Sequence, residues 1–277
     1  FLGHQHLVDW YNHHGIGNAL RGYSAHQNAL NEHLHITIWG LGNVGTSLLN
    51  VLATKTTHRL SVITSSDFTS ENIPSYATLA ELGSTDIIIV CVPDDRVIES
   101  VREAKNHATY TAHTSGSISL IDTQTNSGVF YPFQTFTKGQ EVDWAEVPIS
   151  IESKSAELRA ILFRIGNSIS NTVKELSSGQ RAQLHLVGVL AANFNNHLHH
   201  LIQKQLEQAE IDPNIVEPLL KQTQTKLQTI GALNAQTGPA RRGDVSTIEK
   251  HLKMLKSNAE LKELYVAFTR SIEATYK

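Results

Sequence analysis

Cysteine, excess basic charge and long apolar runs are all scarce in this sequence of 277 residues. Its single cysteine, Cys91, excludes an intrachain disulfide and a zinc site built from cysteines. The formal net charge of −3 disfavours nucleic-acid binding through bulk electrostatics. The longest nearly apolar run, 186–194, is far shorter than the roughly 20 residues of a membrane span, and no signal-peptide pattern begins the sequence. We therefore expect a cytoplasmic protein that binds neither nucleic acid nor membrane.

The first 33 residues differ from the rest. Residues 1–33 contain six histidines and show neither a helical nor a strand period. Histidine is a common metal ligand, but the adjacent pair His13 and His14 lacks the i, i+4 spacing of a helical site. We expect residues 1–33 to be a histidine-rich leader that is peripheral to the fold, whether or not it is native to the protein. We expect no metal site.

Strand-like and helical segments alternate from residue 34 to 177. The run 85–92 is continuously apolar, which is typical of a strand buried on both faces of a parallel sheet. The alternation predicts an α/β domain of Rossmann type, with a doubly wound parallel sheet, over 34–177. Its strands are predicted at 34–39, 60–64, 85–92, 109–113, 128–131, 147–152 and 171–175, and its helices at 46–52 and 97–104.

Beyond residue 177 the pattern becomes helical throughout. A long pattern without proline covers 180–208, and no strand-like run follows it. Ser177, Ser178 and Asp244 are suited to cap helix N-termini. The pattern predicts an all-α domain over 178–277, with further helices at 213–230, 245–255 and 259–276.

A G-x-G-x-x-G motif lies between the first strand and the first helix. Gly40 allows a tight turn, Gly42 lets backbone amides approach a pyrophosphate, and Gly45 allows the helix to pack closely on the strand. The helix N-terminus, with Asn43 and Val44, presents free N–H groups to an anion. The motif predicts a dinucleotide site, and a purely structural turn is the alternative.

The end of the second strand bears on the choice of cofactor. An acid there favours the ribose hydroxyl of NAD, whereas an arginine favours the 2′-phosphate of NADP. Ser65 and Ser66 are suited to hydrogen-bond a phosphate, Asp67 stands slightly late for the ribose, and Arg59 is at the wrong end of the strand. We predict NADP, with NAD left open.

Ligands of open α/β sheets bind outside the carboxyl ends of the strands. Val92 and Pro93 follow one strand there and are expected to line the nicotinamide. The next strand ends at His113, which is either functional or a structural histidine bonded to backbone. The turn after it supplies three more candidates, Thr114 and Ser115 for the nicotinamide and Ser117 for the substrate.

The long helix carries amide and imidazole side chains among apolar ones. His185 and Asn196 are 11 residues apart, about 20° on a helical wheel, and Asn193 lies about 80° from His185. A polar stripe inside an apolar helix is costly unless it faces a ligand or water. His185 is our candidate proton donor for hydride chemistry, with Asn193 and Asn196 beside it, and a solvated helix face is the alternative.

Two further segments are candidate substrate contacts. In 131–136, Gln134 follows a strand end and a proline, and this segment is either a wall of the site or aromatic packing. In 236–244, Thr237 and Arg241 precede a helix, and an arginine suits a carboxylate or phosphate. An exposed basic turn is the alternative for the second segment.

Together these motifs resemble those of a known family. From residue 34 to the C-terminus, the chain is similar to a largely bacterial family of predicted NADP-dependent oxidoreductases, which join a Rossmann-like domain to a helical domain of unknown function. The resemblance rests on residues 40–45, 113–117, 131–136, 181, 184–186, 193–198 and 236–241.

The resemblance carries several implications. The family's architecture is similar to that of pyrroline-carboxylate reductases and 6-phosphogluconate-type dehydrogenases. It implies a cofactor on the first domain, a substrate crevice between the domains and a homodimer formed through the helical domain. Three features depart from it: relatives often carry arginine where Ser66 stands, the leader has no counterpart, and the long helix lacks a lysine near Asn193 and Asn196.

The leading hypothesis is an NAD(P)-dependent oxidoreductase. It transfers a hydride to or from a small polar, anionic carbonyl or imine substrate. The alternative is a regulatory or scaffold dimer that binds NAD(P) without turnover, which the missing lysine favours. An S-adenosylmethionine-dependent transferase fits the glycine spacing and the helical domain less well.

Overall fold

The computed structural model describes residues 33–121 and 126–276. The predicted leader therefore lies outside the described residues, except for His33. The described residues form two compact units, the first extending to Ala192 and the second beginning at Asn193. The boundary that the sequence places near residue 177 stays a prediction.

The first unit alternates strands and helices. Its strands are β1 (His35–Trp39), β2 (Arg59–Ile63), β3 (Ser75–Tyr76), β4 (Thr85–Val90), β5 (Ala108–His113), β6 (Ser127–Pro132), β7 (Ile149–Ser153) and β8 (Val173–Glu175). Its helices are α1 (Asn43–Lys55), α2 (Asp94–Ala104), α3 (Ala156–Ile169) and α4 (Ser178–Gly188). A π-helical segment, Val189–Phe194, follows α4 directly.

The strands form one sheet in the order β3-β2-β1-β4-β5-β6-β7-β8. Neighbouring strands are parallel except for β6 and β7, which are antiparallel. The chain winds in one direction from β1 to β3 and in the other from β4 onward, so the switch point lies between β1 and β4. The predicted Rossmann-type fold is confirmed, with one antiparallel pair added to a mainly parallel sheet.

Apolar side chains cover both faces of this sheet. On one face, Ile36, Ile38 and Ile89 pack with residues of α1 and α3. On the other face, Ile88 and Val90 pack with residues of α2. Burial on both faces explains why β4 is continuously apolar.

Helix α3 and strand β3 are absent from the sequence predictions. The Ser155 hydroxyl caps α3 by accepting a hydrogen bond from the Leu158 amide, at 3.2 Å. The buried face of α3 then repeats at Leu158, Ile161, Leu162 and Ile165, which is the helical period. This cap and period were the available signal for α3, whereas β3 has two residues and no period to detect.

The second unit is helical in every described element, which confirms the predicted all-α region. It contains α5 (Asn195–Gln208), α6 (Glu217–Ala235), α7 (Pro239–Arg242), α8 (Val245–Met254) and α9 (Ala259–Tyr276). Helix α6 is kinked at Gly231, which has a φ of 74°. No helix in the described part of the chain is both long and apolar enough to cross a membrane.

Candidate functional site

Two of the three motif glycines are required by the packing of the backbone around them. Gly40 has a φ of +98°, and a Cβ there would lie 2.8 Å from the Cys91 carbonyl oxygen. A Cβ on Gly45 would lie 1.9 Å from the Gly40 carbonyl oxygen. These two glycines hold α1 against the ends of β1 and β4.

Gly42 is different, because its environment is open. A Cβ on Gly42 would meet no atom within 4 Å. Gly42 caps α1 without a side-chain hydrogen bond, and no acidic residue occupies the first turn. The first amides of α1, including those of Asn43, Val44 and Gly45, have no acceptor within the helix and remain available to an anion. This open, donor-rich cradle fits a pyrophosphate.

The cradle lies at the switch point of the sheet. The Cys91 amide donates to the Trp39 carbonyl at 2.7 Å, and the Gly40 amide donates to the Ile63 carbonyl at 2.8 Å. These bonds join the carboxyl ends of three strands behind the glycine turn. Burial raises the pKa of the Cys91 thiol to about 12, so the thiol stays protonated and has a structural role.

Ser65 and Ser66 lie exposed after β2. The Ser66 amide donates to the Thr64 hydroxyl at 3.0 Å, which shapes this turn. Within the described ranges, the hydroxyls of Ser65 and Ser66 have no hydrogen-bond partner. They remain available to a ribose or to its phosphate.

The turns after β4 and β5 occupy adjacent positions in the sheet. Val92 is half-buried and Pro93 exposed. The Thr114 amide and hydroxyl both donate to the Val90 carbonyl, at 3.1 and 3.4 Å. Ser115 and Ser117 are also engaged, since the Ser115 hydroxyl accepts the amide hydrogen bonds of Ser117 and Ile118, at 3.2 and 3.1 Å. Thr114 and Ser115 therefore shape the turn as well as standing where a nicotinamide is expected.

The hydroxyl of Ser117 donates to the Asp94 carboxylate, with 2.5 Å between the oxygens. Both side chains are exposed. The bond joins the start of α2 to the turn after β5. A substrate that used Ser117 would therefore meet the Asp94 carboxylate as well.

His113 is fully buried at the end of β5. Its Nδ1 accepts a hydrogen bond from the Ser115 amide at 3.3 Å. Burial, reinforced by the positive charge of Arg181, lowers the pKa of His113 to about 4, so the ring is neutral at neutral pH. This geometry supports the structural alternative, a strand-end histidine bonded to backbone.

A tyrosine and a histidine meet above the turn that follows β5. The Tyr131 hydroxyl lies 3.2 Å from Nδ1 of His185, and the two rings are edge-to-face with centroids 6.2 Å apart. A Cβ on Gly116 would lie 2.7 Å from Tyr131 Cζ and 2.8 Å from His185 Nδ1. The missing side chain of Gly116 therefore makes room for this pair.

An ion pair anchors the start of α4. Arg181 is 1% exposed and donates to the Glu152 carboxylate and to the Ile118 carbonyl, the latter at 2.6 Å. The Ser178 hydroxyl also donates to Glu152, at 2.8 Å. This network holds α4 to β7 and to the turn after β5, and so positions His185.

Sequence reasoning did not select Tyr131, Glu152, Arg181 or Gly116 as site residues. Gly116, Tyr131 and Arg181 lay within the motifs that carried the family resemblance. A second signal was Arg181 itself, because a charged side chain among the apolar residues of the predicted long helix needs a partner when it is buried. Their meeting involves β6, β7, α4 and a loop, which no local period reveals.

The predicted stripe on the long helix rested on 100° per residue, and the π-helical segment removes that basis. A π turn contains one more residue than an α turn. Residues after the π segment are therefore rotated by roughly 100° on the helical wheel relative to their positions in a continuous α-helix. Asn193 and Asn196 are exposed and belong to the second unit, whereas His185 belongs to the first. Their grouping with His185 stays a prediction.

The remaining candidates make local contacts. Gln134 accepts a hydrogen bond from the Thr135 amide at 2.8 Å, through its own Oε1. In the second unit, the Arg241 guanidinium lies 4.9 Å from the Tyr276 ring centroid and donates to the Gln236 carbonyl. Thr237 borders an apolar cavity of about 200 Å³, also within the second unit. An anion that binds Arg241 would share its guanidinium with the Tyr276 ring and the Gln236 carbonyl.

No three or more His, Cys, Asp or Glu side chains within residues 33–121 and 126–276 are grouped to hold a metal ion. The histidine-rich leader lies outside these ranges, apart from His33.

Residues 147–272 match the model of a domain of unknown function, DUF2520. A crystal structure from Bacteroides fragilis, of a protein described as a candidate NADP oxidoreductase, shares 32% identity over 87% of this chain and 98% of its own, with a TM-score of 0.78. Protein TM1727 from Thermotoga maritima shares 19% identity over 87% of this chain and 98% of its own, with a TM-score of 0.66.

A more distant similarity extends to a reductase with bound cofactor. Plasmodium falciparum pyrroline carboxylate reductase, crystallised with NADP, shares 12% identity over 88% of this chain and 100% of its own, with a TM-score of 0.57. No protein with a curated description matches the sequence. The identity to the Bacteroides protein over nearly its whole length, together with the DUF2520 match, shows that the chain belongs to the family of predicted NADP-dependent oxidoreductases that its motifs resemble.

Proposed function

We propose that the protein transfers a hydride between a nicotinamide dinucleotide and a small polar carbonyl or imine substrate. The observation that carries this proposal is the cradle at Gly42, open on its outer side and lined by unpaired amides of α1. Structures related to this chain include an imine reductase and a reductive aminase, both with NADPH-type cofactors. These relatives support hydride chemistry as a class.

The cofactor assignment is NADP, with NAD as the other candidate. Gly40, Gly42 and Gly45, with Asn43 and Val44, form the pyrophosphate turn. Exposed Ser65 and Ser66 are assigned to the adenosine ribose and its phosphate. Val92, Pro93, Thr114 and Ser115 are assigned to the nicotinamide, because they follow the strand ends beside the switch point.

The cofactor supplies or accepts the hydride, and side chains of this protein supply the proton and hold the substrate. His185 is assigned to the proton, because it lies beside the turn after β5 and an imidazole ring can both give and take a proton. Asn193 and Asn196 are assigned to substrate orientation. Ser117, Gln134, Thr237 and Arg241 are assigned to substrate binding, with Arg241 suited to an anionic group.

We further propose a homodimer through the helical unit, in the cytoplasm. Among described residues of that unit, only Leu201 and Leu255 are buried hydrophobic side chains. Large apolar side chains are exposed instead, at Phe194, Ile211, Ile215, Leu219, Leu227, Ile230, Leu233, Val245, Met254 and Phe268. An apolar surface of this kind is typical of one that a partner covers, and we assign it to a second copy.

The test is a calorimetric titration with NADPH and NADH, followed by a panel of carbonyl and imine compounds with NAD(P)H absorbance as readout. Binding with consumption supports the proposal, and the preferred cofactor settles NADP against NAD. Binding without consumption across the panel would support the regulatory or scaffold alternative. Absence of binding to either cofactor would overturn both.

A further inference from the structure

Tyr131 and His185 are joined by a hydrogen bond as well as by a contact between their rings. The hydroxyl of Tyr131 and Nδ1 of His185 are at hydrogen-bond distance, 3.2 Å. Tyr131 is fixed in β6, and His185 lies one turn after the anchored Arg181 in α4. Gly116 admits both groups because it lacks a side chain. Three separate segments therefore converge to hold one hydrogen bond at the carboxyl edge of the sheet.

Charged and titratable groups face this pair from each surrounding element. Burial raises the pKa of Tyr131, against the opposing effect of Arg181 in α4, while the Asp94 carboxylate at the start of α2 raises it further. Glu152 in β7 pairs with Arg181, and His113 in β5 is neutral. The Tyr131 phenol therefore keeps its proton at neutral pH and has a hydrogen to donate.

We propose that Tyr131 is the group that protonates the substrate, and that His185 returns a proton to it. This inference rests on the proposed hydride transfer and refines its proton step. A bound dihydronicotinamide would supply the hydride that the carbon of C=O or C=N accepts. The Tyr131 O–H bond would break as its proton joins the oxygen or nitrogen. His185 then gives its Nδ1 proton to the phenolate, and water returns a proton to the ring.

The exposure of the two side chains supports this order. Both Tyr131 and His185 are half-buried. Leu186 and Val187, which follow His185 in α4, are exposed. The half-buried His185 ring is therefore accessible to water while its Nδ1 lies at hydrogen-bond distance from the Tyr131 hydroxyl. Tyr131, held in the sheet beside the turn after β5, offers a neutral donor in a fixed position.

The first test compares two tyrosine-to-phenylalanine variants. Tyr131→Phe should lower turnover of the best substrate by about 10²–10⁴-fold, the usual contribution of a positioned proton donor, and leave cofactor affinity unchanged. Tyr265→Phe is the matched control, because the Tyr265 hydroxyl lies 2.9 Å from Nδ1 of His251 in the second unit. This variant removes a similar tyrosine–histidine hydrogen bond and should leave turnover unchanged.

The pH profile provides a readout that a merely structural role would not change. In the unmodified protein, turnover should decline on the basic side, where the Tyr131–His185 pair loses the protons that the step requires. In Tyr131→Phe the residual rate should no longer show the decline on the basic side that the pair causes. A Tyr131→Phe variant with normal turnover and an unchanged profile would overturn the donor assignment.

A second test needs no substrate. Nitrogen-15 NMR of the histidine rings detects whether a ring nitrogen is hydrogen-bonded. Tyr131→Phe should move the Nδ1 signal of His185, and Tyr265→Phe should move that of His251 only. An unmoved His185 signal in Tyr131→Phe would mean that the pair does not exist, which would overturn the relay.

The outcomes separate the two proposals. If the unmodified protein binds no cofactor or turns over no compound of the panel, the proposed function fails and the donor assignment fails with it. If turnover is found and survives in Tyr131→Phe, the donor assignment alone fails.

Discussion

Replacing the motif glycines one at a time should separate cofactor binding from folding. Gly42→Ala adds a methyl group where no protein atom lies within 4 Å, at a φ of −72° that alanine also adopts. The change in folding free energy should stay within about 1 kcal/mol, because lost cap preference and reduced unfolded-state entropy oppose each other. The same methyl group occupies the space in which a pyrophosphate would approach the amides.

The loss of affinity in Gly42→Ala can be estimated from those amides. A hydrogen bond to a charged group contributes about 1.5–3 kcal/mol, so losing two of them costs about 3–6 kcal/mol. Each 1.4 kcal/mol is about tenfold in affinity, so the dissociation constant should rise by at least about 100-fold. Titration calorimetry measures this change directly.

Gly45→Ala should behave in the opposite way. Its Cβ would lie 1.9 Å from the Gly40 carbonyl oxygen and 3.1 Å from Cys91 Cβ, so α1 must move away from the strands. Overpacking of this kind costs about 1–3 kcal/mol or more. At about 2–4 °C per kcal/mol for a chain of this size, the melting temperature should fall by about 2–12 °C in a thermal scan.

Gly83→Ala is the matched control for Gly42→Ala. Gly83 also has no atom within 4 Å of a built Cβ, and it precedes β4, at the opposite edge of the sheet from the glycine turn. This variant should change neither stability nor affinity. An unchanged dissociation constant in a folded Gly42→Ala protein would refute the assignment of the open space to a pyrophosphate.

Three further predictions concern stability and assembly. Glu152→Gln leaves the buried Arg181 charge uncompensated, so the free energy of unfolding in urea should fall by about 3–5 kcal/mol. Because burial lowers the pKa of His113 from 6.5 to about 4, the unfolded chain takes up the proton first. As pH falls from 6.5 to 4, stability should drop by about 3 kcal/mol, and His113→Phe should weaken that pH dependence if it folds. Sedimentation equilibrium should give the mass of two chains, and Leu219→Glu, in the exposed apolar set of the helical unit, should shift it toward one.

Local patterns account for much of what could be predicted. The strands and the glycine turn are visible because burial on both faces demands apolar runs, and because a close turn tolerates no side chain at Gly40 or Gly45. The helix caps at Ser177 and Asp244 could also be predicted from local sequence. Each of these side chains accepts a hydrogen bond from a backbone amide only a few residues further along the chain. Helix α3 carried such a signal at Ser155, although it was not predicted.

The amino-acid sequence by itself determined the Rossmann-type fold, the position of the glycine turn and the helical character of the C-terminal region, because these depend on periods and contacts a few residues long. Only the tertiary structure decided that Tyr131, Gly116 and His185 meet, that Arg181 is buried against Glu152, and that a π-helical segment interrupts the long helix. Those features depend on how β6, β7 and α4 pack at one edge of the sheet. Groups as far apart in the chain as Tyr131 and His185 are brought together by burial of the core, which no local pattern records.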